Sequence, residues 1–268
     1  VPDQRIELTA NPDYYFGRPK IDRETISVIK SPDAIQIALQ RGEIQMPIFD
    51  GGEQASTEQY QAFIQDPRFT VAASQGTTLI SYAFNSRVEE LNNVKMRQAF
   101  LYALDRQKLI DTFAQGNGLI FNSFLVHGWY QDPAWGELYP YDPEKARQLI
   151  KESGWDTDRV IGCTIIAMSS EEARAMLAAE QQMLAEVGIK IKFHEVELAL
   201  WVETFYDTHD FDTIRVTFGV FPDPDGFLSF HMRSGSKNAM GYAYPELDTK
   251  IDAGKRSINI ADRVKVYQ

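Results

Sequence analysis

Residues 160–196 constrain the fold of this chain more than any other stretch. The apolar run at 160–168 predicts a strand, the amphipathic pattern at 170–187 predicts a helix, and 189–196 predicts a second strand. Gly188 stands where the helix would end. A strand, a helix and a strand in this order indicate a right-handed crossover between two parallel strands. The sequence therefore predicts an α/β fold.

A second informative stretch is the apolar run at 211–218, which leads into a stiff turn at 222–226. The run predicts another buried strand, and prolines, aspartates and a glycine make up the turn. In open α/β sheets, ligands bind beyond the carboxyl ends of the strands. The neighbouring sequence supplies no nucleophile with its base, no set of metal ligands and no phosphate-binding loop. This edge of the sheet therefore indicates binding rather than catalysis.

The composition of the chain excludes some kinds of binding partner. The 268 residues are enough for one large domain or two ordinary ones, and 44% hydrophobic residues are typical of a globular protein. The formal net charge of −11 argues against nucleic acid and anionic membranes as partners, because both bind basic surfaces. No apolar run of the sequence is long enough to cross a bilayer. The single cysteine, Cys163, is expected to be a buried strand residue.

The remaining elements follow from turn, cap and periodicity signals. Strands are predicted at 5–9, 26–29, 69–71 and 78–84, and helices begin near Ser31, Val94, Asp105, Asp142 and Trp201. The polar segment 85–93 is the candidate domain boundary, which divides the chain into 1–92 and 93–268. The chain opens without methionine and closes inside a predicted helix, so we expect it to be a piece of a longer protein.

Six short motifs follow one another along nearly the whole chain. They are NPDYYFGRP at 11–19, VKMRQAF at 94–100, YDPEKA at 141–146, GIKI at 188–191, PDPDGFL at 222–228 and YPELD at 244–248. In this order they resemble motifs of the family 5 extracellular solute-binding proteins. These are the oligopeptide-, dipeptide- and nickel-binding components of ABC importers. One such motif is weak evidence, whereas six in the family's order are strong evidence.

The resemblance implies a periplasmic-binding-protein-like fold of class II, in which two lobes built from three domains close on a ligand. Residues 1–92 would be the later part of the first domain, in the first lobe, and 93–268 most of the third domain, in the second lobe. The family's opening segment, its middle domain and its final return strand would be missing from the chain, and with them part of the cleft. We therefore expect this chain alone to bind ligand weakly or not at all.

The resemblance also implies a function. The protein would be monomeric, would need no cofactor or metal, and would work outside the cytoplasm, in the periplasm or as a lipoprotein on the cell surface. It would capture an oligopeptide or dipeptide and deliver it to the transmembrane subunits of a permease, without enzymatic activity.

The positions that match the family's ligand contacts lie at the ends of two predicted strands and on one short helix. They are Tyr82, Ala83, Asn85, Trp201, Phe218, Gly219, Val220, Phe221, Asp223 and Asp225. In peptide-binding members an aspartate pairs with the free ammonium of the peptide, and here Val220 stands at that position. Many members also have an acidic residue near Ala83. Leaving a desolvated ammonium unpaired costs about 3–5 kcal/mol, so we expect an apolar or blocked ligand unless Asp223 or Asp225 replaces the charge.

Several alternatives stay open. Non-peptide ligands of such a protein include sugar oligomers, opines and metal chelates, and a ligand-sensing receptor role is a further possibility. A hydrolase that uses Asp223 and Asp225 as an acid–base pair is disfavoured, since two carboxylates on one tight turn rarely face one cleft. Both aspartates can instead bond their own turn, and Trp201, Phe218 and Phe221 can instead be core residues. The four histidines, His127, His194, His209 and His231, have no metal-ligand spacing.

Overall fold

The protein was studied as a computed structural model. The structure describes residues 5–29, 31–47, 62–71, 78–125, 128–167, 171–219, 221, 223–235 and 238–268. The chain forms two compact units, Val1–Ala73 and Ser74–Gln268. In the described residues no helix is both long enough and apolar enough to cross a membrane.

The first unit contains an antiparallel hairpin of β1 (Arg5–Thr9) and β2 (Arg23–Ser27). The sequence pattern placed the second strand at 26–29, but its pairing runs from Arg23 opposite Thr9 to Ser27 opposite Arg5. The described part of β1 has no residue left to pair with 28 and 29, so β2 lies earlier than predicted.

Helix α1 (Pro32–Arg41) follows, and the serine before it caps the helix as predicted. Ser31 Oγ accepts a hydrogen bond from the backbone N–H of Ala34 at 3.1 Å, and Gly42 ends the helix with φ of 74°. The strand predicted at 69–71 is wrong. Phe69 N–H instead donates to the carbonyl of Asp66 at 3.0 Å, which closes a turn at this point.

The second unit is built on a four-stranded sheet. Its strands are β3 (Thr78–Phe84), β4 (Val160–Ile166), β5 (Lys190–Val196) and β6 (Thr213–Gly219), in the order β3-β6-β4-β5. Strands β4 and β5 are parallel, as the pattern of residues 160–196 predicted, and β6 is parallel to β4. Strand β3 is antiparallel to β6, with Thr78 opposite Gly219 and Phe84 opposite Thr213.

Helices cover the sheet and extend beyond it. They are α2 (Val94–Ala103), α3 (Arg106–Phe113), α4 (Pro143–Ser153), α5 (Glu171–Glu186), α6 (Leu198–Glu203), α7 (Pro224–Phe227), α8 (Pro245–Arg256) and α9 (Ile260–Tyr267). Short π-helical segments at Thr204–Thr208 and Leu228–Met232 continue α6 and α7. The aspartates expected to cap α3 and α4 do so, because Asp105 accepts from Lys108 N–H and Asp142 from Lys145 N–H.

The boundary between the two compact units falls after Ala73. The predicted boundary lay later, between residues 92 and 93, because segment 85–93 is polar. Strand β3 nevertheless pairs along its whole length with β6, so residues 78–84 fold with the second unit. The assignment of each segment to a particular lobe stays a prediction.

Two hydrophobic clusters occupy opposite faces of the sheet. The neighbours Ala83 and Phe84 on β3 belong to different clusters, as expected for side chains that alternate along a strand. One cluster packs α2, α4 and α5 on β4 and β5 and includes Cys163, which is buried as predicted. The other is largely aromatic and includes Trp201, Phe205 and Phe218.

Candidate functional site

A cavity of ≈ 480 Å³ opens at the carboxyl end of β6. Strand β6, the turn after it and the π-helical segments supply the lining, which consists of Tyr206, Thr217, Phe218, Gly219, Phe221, Gly226, Phe230 and His231. Among the described residues, the lining contains no carboxylate, lysine or arginine side chain. The cavity is therefore apolar and aromatic, and it lies where ligands bind in open α/β sheets.

His231 forms a buried part of the wall and is 4% exposed. Its ring centroid lies 4.8 Å from that of Phe218, 4.7 Å from that of Phe227 and 4.8 Å from that of Phe230. In the part of the chain that the structure describes, its buried Nδ1 has no hydrogen-bond partner. Burial lowers the pKa of His231 to about 4, so the imidazole is neutral at pH 7.

The turn that closes this end of β6 is held by Asp223. Its Oδ1 accepts a hydrogen bond from Asp225 N–H at 2.9 Å and so caps α7. Both carboxylate oxygens also accept hydrogen bonds from the guanidinium of Arg263 on α9, each at 2.7 Å. The paired guanidinium is the main reason why the pKa of Asp223 is lowered.

Aromatic contacts support the same turn from outside the cavity. The guanidinium carbon of Arg263 lies 4.9 Å from the ring centroid of Trp129 and 5.4 Å from that of Tyr267. The hydroxyl of Tyr130 donates to the carbonyl of Phe221 at 3.1 Å. These contacts hold Asp223 in place, and also Phe221, which lines the cavity.

The two aspartates of the turn do not have the properties of an acid–base pair. The carboxylate of Asp225 accepts a hydrogen bond from the hydroxyl of Ser229 and lies 3.8 Å from Lys255 Nζ. A general acid needs a raised pKa, whereas that of Asp223 is lowered by Arg263. The local contacts therefore favour a structural role for both carboxylates.

Tyr82 and Ala83 are held in the interior of the second unit. The hydroxyl of Tyr82 donates to the carboxylate of Glu180 on α5, and Glu180 also pairs with Arg215 of β6 at 3.1 Å. Burial raises the pKa of Tyr82. The carbonyl of Ala83 accepts from the hydroxyl of Thr213 at 2.9 Å.

Asn85 lies at the opposite end of β6 from the cavity. Its Nδ2 donates to the carbonyls of His209 at 3.0 Å and Phe211 at 2.9 Å, and its Oδ1 accepts from Arg87 N–H at 3.1 Å. It lines a second cavity of ≈ 420 Å³ together with Val88, Gly162, Thr164, His194, His209, Asp210, Phe211 and Asp212. Because β3 runs antiparallel to β6, Tyr82 pairs with Arg215 and Ala83 with Ile214. The predicted residues of β3 therefore lie about 10–20 Å along the sheet from those at the end of β6.

Trp201 is a core residue in the structure. Its ring centroid lies 5.2 Å from that of Phe205, which in turn lies 6.3 Å from that of Phe218. It does not line the cavity, whereas Phe218, Gly219 and Phe221 do. Val220 and His127 lie outside the described residues.

Sequence reasoning missed Tyr206, Thr217, Phe230 and His231 as cavity residues. One signal was available for two of them, because Phe227, Phe230 and His231 have the i, i+3, i+4 spacing of one helical face. Phe230 and His231 lie in the π-helical segment Leu228–Met232, and the ring of His231 contacts those of Phe227 and Phe230 in the structure. Within the described ranges, no three His, Cys, Asp or Glu side chains form a group that could hold a metal ion.

Comparisons with known proteins identify the family of this chain. Residues 1–239 match the family described as "bacterial extracellular solute-binding proteins, family 5 Middle". A protein of Brucella ovis named as an ABC transporter peptide-binding protein is 31% identical over 280 residues, which cover 100% of this chain and 51% of that protein. Heme-binding protein A of Haemophilus influenzae is 28% identical over 281 residues, and this match covers 99% of this chain and 49% of that protein.

A solved structure has the same fold. The ABC transporter substrate-binding protein CtaP from Listeria monocytogenes matches with a TM-score of 0.83 at 24% identity, over 99% of this chain and 54% of that one. The predicted α/β, periplasmic-binding-protein-like fold is thereby confirmed, as is its partial extent. The chain spans about half the length of the curated relatives that it matches. A family match over most of the chain is decisive, and the chain belongs to the family 5 bacterial extracellular solute-binding proteins.

Proposed function

We propose that the full-length protein is the substrate-binding component of an ABC importer and that its ligand is a short peptide. The main support is the 31% identity, over the whole of this chain, with a relative named as a peptide-binding protein. An apolar cavity at the carboxyl end of β6 supplies a place for part of the ligand.

In this proposal the ligand is bound between two lobes that close around it. Main-chain hydrogen bonds along strand edges hold an extended peptide and give affinity without strict selection of side chains. The closed, monomeric protein then delivers the peptide to the transmembrane subunits of a permease. It does so outside the cytoplasm, either free in the periplasm or anchored as a lipoprotein.

Within the second unit, we assign direct ligand contact to Phe218, Gly219 and Phe221, which line the cavity. Asp223 and Asp225 act on the ligand through the turn that they stabilise. Contact by Val220 stays a prediction, and so does contact by the remaining candidates, Tyr82, Ala83, Asn85 and Trp201. The side chains of Tyr82 and Asn85 are already hydrogen-bonded inside the unit.

The second candidate is a non-peptide ligand or a sensing role without transport. One observation favours a non-peptide ligand: the described lining of the cavity holds no carboxylate to pair with a peptide ammonium. The relative named as a heme-binding protein gives a precedent for non-peptide ligands among the proteins that this chain resembles.

Native mass spectrometry of the full-length protein, purified without refolding, separates these candidates. The co-purified ligand is released and identified by mass. We expect a ladder of peptide masses. A single non-peptide mass would contradict the peptide assignment and favour the second candidate.

A further inference from the structure

The cavity at the carboxyl end of β6 has aromatic side chains both in its wall and at its rim. Phe218 is buried in the wall, while Phe221 and Phe230 are 44% and 42% exposed. Such exposed rings are available for contact with a ligand, and aromatic rings attract one another in edge-to-face and offset-stacked arrangements. The surroundings therefore favour a ligand group that is itself an aromatic ring.

The same cavity is unfavourable for charged ligand groups. Its described lining offers no ion-pair partner. Burial keeps both titratable rings of the lining uncharged at pH 7, because it lowers the pKa of His231 and raises that of Tyr206. A charged group that leaves water without gaining a partner loses binding free energy. A lysine or glutamate side chain of a ligand would therefore be rejected here.

The cavity also has room next to the end of the strand. Gly219 is the last residue of β6, and a Cβ added there would meet no heavy atom of the described structure within 4 Å, apart from its chain neighbours. The volume of ≈ 480 Å³ falls within the range of about 300–1,000 Å³ that is typical of small-molecule sites. One aromatic side chain fits within this space.

We propose that this cavity is a specificity pocket for one uncharged aromatic side chain of the ligand, with Phe221 and Phe230 at its rim and His231 in its wall. The proposal rests on the proposed peptide-binding function, and it adds a side-chain preference to it. Main-chain contacts alone would make binding tolerant of sequence, whereas this pocket selects for an aromatic residue at one position of the peptide.

Isothermal titration calorimetry of the full-length protein with tripeptides tests the preference. The set starts from trialanine and replaces each residue in turn by phenylalanine, lysine or glutamate. At one position we expect phenylalanine to bind at least tenfold more tightly than alanine, and lysine and glutamate to bind more weakly than alanine. Equal affinities for all side chains at every position would overturn the pocket but leave peptide binding intact. Failure of every tripeptide to bind would overturn both proposals.

The substitution Gly219→Leu tests the location of the pocket, because it adds a bulky side chain to a residue that lines it. We expect this variant to lose the preference for phenylalanine over alanine. Gly136→Leu is the matched control, since a Cβ at Gly136 also meets no described atom within 4 Å and this glycine lies away from the cavity. An unchanged preference in a folded Gly219→Leu protein would overturn the proposal.

A second variant covers the case in which Gly219→Leu does not fold. Phe230→Ala removes a half-exposed ring from the rim, and folding is checked by circular dichroism. The preference for phenylalanine should fall severalfold. Full retention of the preference in this variant would contradict the assignment of Phe230 to the pocket.

Discussion

At the scale of single residues, Arg263 connects the last helix of the chain to the turn beside the cavity. It makes two hydrogen bonds of 2.7 Å to Asp223 and stacks against Trp129 and Tyr267. A planar guanidinium can make both kinds of contact at once, whereas an ammonium cannot. The turn is therefore held by a residue about forty positions away in the sequence, which local sequence patterns do not reveal.

We expect Arg263→Lys to destabilise the protein by about 1–2 kcal/mol, because it loses the two parallel hydrogen bonds and the ring contacts. This loss of stability is smaller than that expected for a buried ion pair, because the side chain of Asp223 is 49% exposed and water screens the interaction. Urea unfolding measures the change. Lys265→Ala, on the same helix and 78% exposed, is the control and should change the stability by less than about 0.5 kcal/mol. Equal effects of the two substitutions would contradict the role of Arg263.

His231 predicts a pH dependence of stability. Its pKa is lowered from 6.5 to about 4 by burial, so the unfolded chain binds a proton at this residue more readily than the folded protein does. The contribution of His231 to the free energy of unfolding is fully present above pH 6.5. It falls by up to about 3 kcal/mol as the pH decreases towards 4. The variant His231→Phe should show a smaller loss over this interval. The measurement is the free energy of unfolding of the wild type and of His231→Phe at pH values between 7 and 4. The same loss of free energy in both proteins would refute the expectation.

The residues predicted from sequence as ligand contacts fall into two separate groups in the structure, and their contact with ligand stays a prediction. Phe218, Gly219 and Phe221 line the cavity, as expected for residues that follow a buried strand. Tyr82 and Asn85 do not, because the antiparallel pairing of β3 with β6 places Tyr82 opposite Arg215, near the middle of β6, and Asn85 beyond the other end of that strand. Pairing between strands so far apart in sequence leaves no local signal, and the family resemblance did not supply it.

At the scale of elements, a buried polar cluster joins α5 to the sheet. Glu180 of α5 accepts hydrogen bonds from Tyr82 of β3 and Arg215 of β6, and the side chains of Glu180 and Arg215 are each 6% exposed. A buried charge is stable only when it is paired. The cluster thus requires α5, β3 and β6 to keep a single arrangement.

We expect Glu180→Ala to destabilise the protein by about 3–5 kcal/mol, because Arg215 would be left as an unpaired buried charge. Tyr82→Phe should cost about 1–2 kcal/mol, since only one hydrogen bond is lost. Glu186→Ala, an exposed position on the same helix, is the control and should have little effect. Thermal unfolding ranks the three variants, and a Glu180→Ala protein as stable as the control would contradict this reading.

Prediction of the elements worked where periodicity and caps were clear. The unit of residues 160–196 and the caps Asp105 and Asp142 were found because their signals are local. The polar segment 85–93 stays a predicted domain boundary. Several of its polar groups hydrogen-bond to later parts of the second unit, as Ser86 N–H does to the carbonyl of Met240 at 2.8 Å and Arg87 Nη1 to that of Ala239 at 2.9 Å.

At the scale of the whole molecule, the chain spans about half of its relatives, and the proposed site requires two lobes. We therefore expect these 268 residues alone to bind the tightest-binding tripeptide at least a hundredfold more weakly than the full-length protein. Calorimetry on both proteins under one buffer measures the ratio. Circular dichroism confirms that the shorter protein is folded. Comparable affinities would mean that the second lobe is not needed for binding.

The most direct test of the proposed location of the ligand is hydrogen–deuterium exchange of the full-length protein with and without that tripeptide. The two cavities of the second unit lie at opposite ends of β6, so the result separates them. We predict that the tripeptide slows exchange in residues 217–231 and leaves 160–164 and 209–212 unchanged. Slower exchange at 160–164 and 209–212, with no change in 217–231, would contradict the assignment of the ligand to the carboxyl end of β6.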